Sequence, residues 1–158
     1  MAPPAQADVT ITVGPGGCTL PSAITAAETA AATGGCPAGT TNGLNTIVLP
    51  AGTYVNHDLE IASGRIAIAG QAATDTVIDA GGAGRGFLID SAATVTLENL
   101  TIENGKTPDG TAGASGSSGG GGAGVRGGAV ANAGHLTITN CTFTTNRTGA
   151  GGARGLGR

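Results

Sequence analysis

Val95-Thr96-Leu97-Glu98-Asn99-Leu100-Thr101-Ile102 and Leu136-Thr137-Ile138-Thr139-Asn140-Cys141-Thr142-Phe143 state one pattern twice, 41 residues apart. Apolar residues alternate through the first half of each (Val95/Leu136, Leu97/Ile138). An Asn then recurs, and the inward phase restarts (Leu100/Cys141, Ile102/Phe143). Alternation at period two marks a strand with one buried face. A strand, an Asn-marked corner and a second strand, recurring along the chain, describe one coil of a β-solenoid. Such folds bury their core by stacking neighbouring units, and they leave function open.

The echo extends towards both termini. Leu59-Glu60-Ile61 with Ile66-Ala67-Ile68 matches Leu88-Ile89-Asp90 with Val95-Thr96-Leu97 at an offset of 29. Thr76-Val77-Ile78-Asp79-Ala80-Gly81 matches Leu100-Thr101-Ile102-Glu103-Asn104-Gly105 at an offset of 24. Val130 and Leu136 repeat Ile89 and Val95 at 41, so the core repeat lies near 23 residues and larger offsets are insertions. One insertion, residues 106–126, holds Ser117, Gly119 and Gly122 and reads as a flexible glycine-rich loop. It contains no Gly-Lys-Ser/Thr, and no GxGxxG opens a helix after it, which excludes a phosphate loop.

The N-terminal third reads differently. Asp8-Val9-Thr10-Ile11-Thr12-Val13 alternates as a strand and Gly14-Pro15-Gly16-Gly17 turns the chain. From Leu20 the spacing becomes helical, with Leu20, Ala23, Ile24, Ala27 and Ala31 on one face. Thr19 suits the N-cap, Pro21 the first turn and Gly34-Gly35 the stop. Such a helix would cover the first coil, whose edge and apolar interior would otherwise meet water. Cys18 and Cys36 bracket it, and their separation suits a local disulfide contributing about 3 kcal/mol; two free thiols in a reducing compartment are the alternative. Cys141 occupies the inward slot that Leu100 fills and reads as a small buried hydrophobe.

Composition narrows the classes. Of 158 residues 31 are Gly, while charged residues make up 11% and aromatics 2%, which suits a narrow stacked core of small β-branched side chains. A net charge of −3 gives no basic footprint, so no nucleic-acid partner is expected. No run of 18 apolar residues is present, so no membrane insertion is expected. His57 and His135 stand at no ligand spacing with the cysteines, so no metal and no cofactor are expected. Ala5-Gln6-Ala7 has the A-x-A form of a signal cleavage site, and residues 1–7 read as a signal remnant or a disordered terminus.

Catalysis needs carboxylates gathered on one face. Asp79, Asp90, Glu98 and Glu103 are candidates, with Arg65, Arg85 and Lys106 nearby, and Glu60, Asp90 and Ala131 fall at about the same coil position. That row ends after two coils. The only aromatics are Tyr54, Phe87 and Phe143, and the two Phe carry an inward phase, which leaves too few for a sugar platform, so no catalytic residue is assigned. Thr96 with Thr137, and Thr101 with Thr142, form threonine rows of the kind that can bind ice, although strand propensity on an exposed face is the simpler account of them. Asn99 and Asn140 are expected to stack as a structural ladder at a buried corner, where their glycosylation sequons would go unused.

Two family resemblances converge on this reading. Cys18-Thr19-Leu20-Pro21-Ser22-Ala23-Ile24, Gly35-Cys36-Pro37 and Ile47-Val48-Leu49-Pro50-Ala51-Gly52-Thr53-Tyr54 resemble the CSLREA-type module that opens right-handed parallel β-helices of exported bacterial proteins, with Pro21-Ser22 in place of the motif's Arg-Glu. Gly127-Gly128-Ala129-Val130 and Phe143-Thr144-Thr145-Asn146 resemble the GGA-[ILV] and FxxN repeats of polymorphic outer-membrane-type β-helices. The resemblance implies an all-β, right-handed parallel β-helix with a short N-terminal capping helix, in a secreted or cell-surface protein. About four to five coils, some 4.8 Å apart, are expected. The division is 1–7, then strand and capping helix over 8–45, then coils over 46–158. Gly151-Gly152-Ala153 begins another GGA as the chain nears Arg158, which predicts a truncated stack or an open end that associates with a second copy. The expected role is a structural or adhesive module, with itself, the rest of a longer β-helix or a surface glycan as partner. A carbohydrate-active β-helix with catalytic coils further on, and an ice-binding solenoid, are the alternatives.

Overall fold

The structure, a computed structural model, describes residues 7–114 and 120–155. Over these residues the chain is built mostly of strands with one α-helix. The strands are β1 (Val9–Thr12), β2 (Leu44–Leu49), β3 (Gly52–Val55), β4 (Leu59–Gly70), β5 (Thr76–Asp79), β6 (Phe87–Glu98), β7 (Thr101–Glu103), β8 (Val130–Asn132), β9 (His135–Thr139) and β10 (Thr142–Thr144); the helix is α1 (Leu20–Thr29). All pairs among these strands are parallel. One sheet runs β1-β2-β4-β6-β8 with β9 also on β6, and the other runs β10-β7-β5-β3. From β2 to β8 the chain alternates between the sheets, β9 follows β8 on the same sheet before β10 crosses to the other, and each return lands beside the strand laid before it. Parallel neighbours need a crossover, and here the other sheet supplies it.

The core follows from register. Ile11, Ile47, Ile68, Leu97 and Ile138 are successive partners, and the first four are fully buried. Tyr54, Ile78, Ile102 and Phe143 form a second column. Each fully buried Ile contributes roughly 1.5–3 kcal/mol. Both columns end in the open. Ile138 is 45% exposed and Phe143 40%, so the inward phase expected of Phe143 does not bury it; no strand lies beyond β9 and β10 among the described residues.

The 41-residue echo is a true register: Val95 faces Leu136, Leu97 faces Ile138 and Ile102 faces Phe143. The offset of 24 holds as well, with Ile78 opposite Ile102. Two expected pairings differ. Leu59 stands opposite Phe87 rather than Leu88, and the offset of 29 begins only after an irregularity between Ile61 and Ser63. Val130 likewise faces Phe87, while Ile89 faces Asn132. Side chains alternate across a strand, so a one-residue slip would exchange the faces. The observed phase buries Phe87 and Ile89 and keeps the Asp90 carboxylate out of the core. Glu60 therefore aligns with Leu88 and Ala131, and Asp90 leaves that row.

The helix packs against β1, β2 and β4 through Leu20, Ala23, Ile24, Ala26 and Ala27. Thr19 caps it, its hydroxyl accepting from the Ser22 N–H at 3.3 Å. It stops at Ala30, in the left-handed region at φ 52°, instead of running on to Gly34-Gly35, so Ala31 is exposed and Ala26 takes the buried place. Cys18 and Cys36 are joined in a disulfide whose Cα atoms lie 4.6 Å apart. Glu28 accepts the Ala62 and Ser63 N–H groups at 2.5 and 3.3 Å, tying α1 to β4. Asn45 is 1% exposed yet satisfied: its Oδ1 accepts from Thr40 N–H, and its Nδ2 donates to the Thr40 and Ala27 carbonyls. Among the described residues no helix is long and apolar enough to cross a membrane.

Candidate functional site

The corners between the sheets carry polar ladders. Asn99 and Asn140 both adopt left-handed backbone, at φ 54° and 51°, and the Asn140 Nδ2 donates to the Asn99 Oδ1 at 3.3 Å. The corner is not buried: Asn99 is half-buried and Asn140 exposed. A left-handed residue with a Cβ costs about 1–2 kcal/mol, and Asn, whose side chain can bond locally, escapes much of this. Asn99→Ala is therefore expected to lose about 1–2 kcal/mol in urea titrations, with Asn99→Gly recovering most of it. Equal losses in both variants would show that the hydrogen bond, not the backbone, sets the residue.

A second ladder escaped the sequence reading. Asn104 Nδ2 donates to Asp79 Oδ1 at 2.9 Å, and the Thr145 hydroxyl donates to Asn104 Oδ1 at 2.7 Å. The Asn104 bond, with the Gly81 N–H behind it, holds the Asp79 carboxyl below its ordinary range. Asn146 adds to the same corner, accepting from Gly105 N–H and donating to the Ile102 carbonyl. Asn104 and Thr145 stand 41 residues apart, the period already visible in Asn99 and Asn140. The signal that could have revealed them was their shared place after an apolar strand, concealed by the change from Asn to Thr.

A hollow of about 460 Å3 beside this ladder is lined by Gly81, Gly82, Asn104, Thr145 and Arg147. The Asn104 amide and the Thr145 hydroxyl are already engaged within the ladder. Of the candidate acids, Asp79 and Glu103 are register neighbours. Of the bases, the Arg85 Nε lies 3.5 Å from Asp58 Oδ1, whose other oxygen is 3.1 Å from His57 Nδ1. Among the described residues no group of three His, Cys, Asp or Glu side chains is placed to hold a metal ion. Of the threonine rows, Thr96 faces Thr137 and Thr101 faces Thr142, but Thr101 is buried and its hydroxyl donates to the Ala73 carbonyl at 2.6 Å.

The described part of the glycine-rich insertion is not a free loop. Gly110 and Gly113 donate to the Ala150 and Ala153 carbonyls at 2.7 and 2.8 Å. Gly122 and Val125 donate to Thr111 and Pro108 in the opposite chain sense, and Gly152 donates back to Gly122. Every partner recurs at three residues, the repeat of an extended threefold chain rather than the two-residue repeat of a strand. A Cβ at Gly149 would strike the Pro108 carbonyl oxygen, and one at Gly152 the Thr111 oxygen, so only glycine admits this approach. Segment 147–153 runs beside 106–113, with Lys106 bridged to Arg147, so the 41-residue period carries on into the insertion. Gly122 is thereby hydrogen-bonded through both its N–H and its carbonyl; Ser117 and Gly119 lie outside the described residues. Gly152 and Ala153 are spent in the same way within the chain. Among the described residues no strand pairs with the outer side of β8, β9 and β10. Cys141, half-buried at its margin, lies 3.3 Å from the Leu97 carbonyl oxygen.

No family model, curated protein or solved structure matches the chain.

Proposed function

We propose that the chain is a short right-handed parallel β-helix acting as a non-catalytic structural or adhesive module of an exported surface protein. The observation that carries this reading is the all-parallel strand pairing of both sheets, irregular only near Ile61–Ser63 and between β8 and β9, around two inward apolar columns. A stack of this kind is specified by its repeat and needs no substrate site to explain its residues. The helix α1, over the strands at one side of the stack, fits a capping role, and the CSLREA-like segment supplies it. The Cys18–Cys36 disulfide fits an oxidising, extracytoplasmic setting, where such bonds persist.

Where the carboxylates stand supports a non-catalytic role. Asp79 is held in its charged form by Asn104 and Gly81, the environment of a structural acid rather than of a proton donor. Arg85 is engaged with Asp58. Incubation with a panel of neutral and acidic polysaccharides is therefore expected to release no reducing ends or unsaturated sugars above the blank. Product release by the wild type that disappears in Asp79→Asn or Glu103→Gln would replace this reading with the carbohydrate-active one. Retention of intact glycan by the immobilised chain, without cleavage, would identify the adhesive variant.

A further inference from the structure

Two Asn-Gly pairs occur in the chain, Asn42-Gly43 and Asn104-Gly105, and the fold treats them oppositely. Asn before Gly is the pair most open to intramolecular imide formation, because no Cβ shields the following backbone nitrogen from the carboxamide. Around Asn104-Gly105 every group this chemistry needs is engaged. Asn104 Nδ2 donates to Asp79 at 2.9 Å, its Oδ1 accepts from Thr145 at 2.7 Å, and the Gly105 N–H donates to Asn146 Oδ1 at 2.8 Å. The Asn104 carbonyl also accepts the Gly82 N–H at 2.7 Å, so the peptide joining the pair is held on both sides. Asn42-Gly43 has none of this. Asn42 is exposed in the bend ahead of β2, and among the described residues neither its carboxamide nor the Gly43 N–H has a hydrogen-bond partner. Buried backbone N–H groups are nearly always paired, and Gly43 is buried, so this nitrogen is an exception. Glycine is also required here: a Cβ at Gly43 would meet the Ala7 carbonyl oxygen at 2.8 Å and Thr40 Cγ2 at 2.9 Å. Packing of the first layer thus demands the residue that leaves Asn42 reactive.

We infer that Asn42 is a site of spontaneous deamidation, and that the reaction acts as a timer on the first layer of strands. The Gly43 nitrogen, giving up its proton to water or hydroxide, attacks Asn42 Cγ. A C–N bond forms, the Cγ–Nδ2 bond breaks and ammonia leaves. Water then opens the five-membered imide at either carbonyl, leaving aspartate or isoaspartate at position 42. Both products place a negative charge two residues before Leu44, whose N–H the Asp8 carboxylate accepts at 2.9 Å. Isoaspartate also lengthens the backbone by one atom inside the loop that Asn45 closes, its Oδ1 on the Thr40 N–H and its Nδ2 on the Thr40 carbonyl. Asn45 joins that loop to the Ala27 carbonyl of α1, so the disturbance reaches the helix as well as β1 and β2. The second pair, locked into its ladder, keeps its amide.

Incubation of the 158-residue chain at mildly alkaline pH, followed over time by tryptic peptide mapping, tests this. Cleavage after Arg65, Arg85 and Lys106 puts the two pairs on separate peptides. The expected result is the mass gain of an amide-to-acid change at Asn42, with isoaspartate exceeding aspartate. Asn104 is expected to react more slowly by roughly tenfold or more, since two hydrogen bonds must open first. In the urea-unfolded chain the two pairs are expected to react alike, which assigns the difference to the fold. Asn42→Gln, which alters one exposed side chain and cyclises poorly, is expected to remove the early product with an unchanged melt. Asn146→Ala, which uncovers the Gly105 N–H, is expected to speed Asn104 alone. In the deamidated fraction the amides of β1 and α1 are expected to exchange with deuterium faster than in the intact chain. Equal rates at both pairs in the folded chain, an Asn42 that outlasts Asn104, or unchanged exchange in β1 and α1 after deamidation would each overturn the inference.

Discussion

Phe87→Ala is expected to lower stability by about 3–5 kcal/mol, the range for emptying a buried aromatic site. Phe87 is fully buried between Leu59 and Val130, its register partners on either side, so the cavity would be walled by neighbours in three successive layers. Parallel strands pinned by their ladders cannot easily collapse into it. Leu88→Ala is the decisive comparison, because an uninterrupted offset of 29 would turn Leu88 inward and Phe87 out. With Leu88 half-buried on the outer face, its truncation is expected to cost about 1 kcal/mol or less. Urea titration of both variants, with unchanged slope, measures the difference. A larger loss in Leu88→Ala would mean that the strand is slipped by one residue. Domains of this size have total stabilities of about 5–15 kcal/mol, so the Phe87 variant is expected to stand near the edge of folding.

The second large effect is chemical. Replacing Cys18 and Cys36 together by Ser is expected to cost about 3 kcal/mol through the unfolded chain, which regains the freedom of the closed loop. At this chain length that corresponds to a melting temperature lower by about 6–12 °C. The loop holds α1, so its loss is felt where the helix covers β1, β2 and β4. The helix would then be held by its apolar packing, the Glu28 bonds to Ala62 and Ser63, the Asn45 bond to Ala27 and the Gly39 N–H bond to the Ala26 carbonyl. Reduction of the wild type by dithiothreitol is expected to reproduce the same shift, while Cys141→Ser leaves it unchanged. A reduced protein that melts with the oxidised one would show that the helix needs no closure.

Period-two alternation with a recurring Asn carried the strand pairing of β6 with β9 and of β7 with β10, because each inward residue must meet its counterpart. The same alternation could not locate the extra residue between Ile89 and Ala92, which changes the phase of Phe87 without altering the composition of the strand. The helix was readable to its N-cap but not to its end, since Ala30 takes a left-handed conformation that its sequence does not advertise. The polar ladder at Asp79, Asn104 and Thr145 was hidden because three different side chains fill one role. The hydrogen-bonded part of the glycine-rich insertion was not legible for a reason of period. Strands repeat at two and helices at 3.6, and a segment whose contacts recur at three matches neither, so it resembles featureless linker. Only the close approach of Gly149 and Gly152 to the backbone beside them distinguishes the two.

That packing bears on how such a chain is inherited. Residues 106–113 and 147–153 stack on one another in the same register as the strands, so a duplication that preserved this packing would have to carry all 41 residues, loop included. Unequal crossing-over between two such units would add a strand layer and its glycine segment in one event, with every inward column still in phase. Deleting the loop from a single copy would instead leave the segment stacked on it without a bed. Length variation among descendants is accordingly expected in whole units of the repeat, with Gly149 and Gly152 as intolerant of side chains as the buried columns.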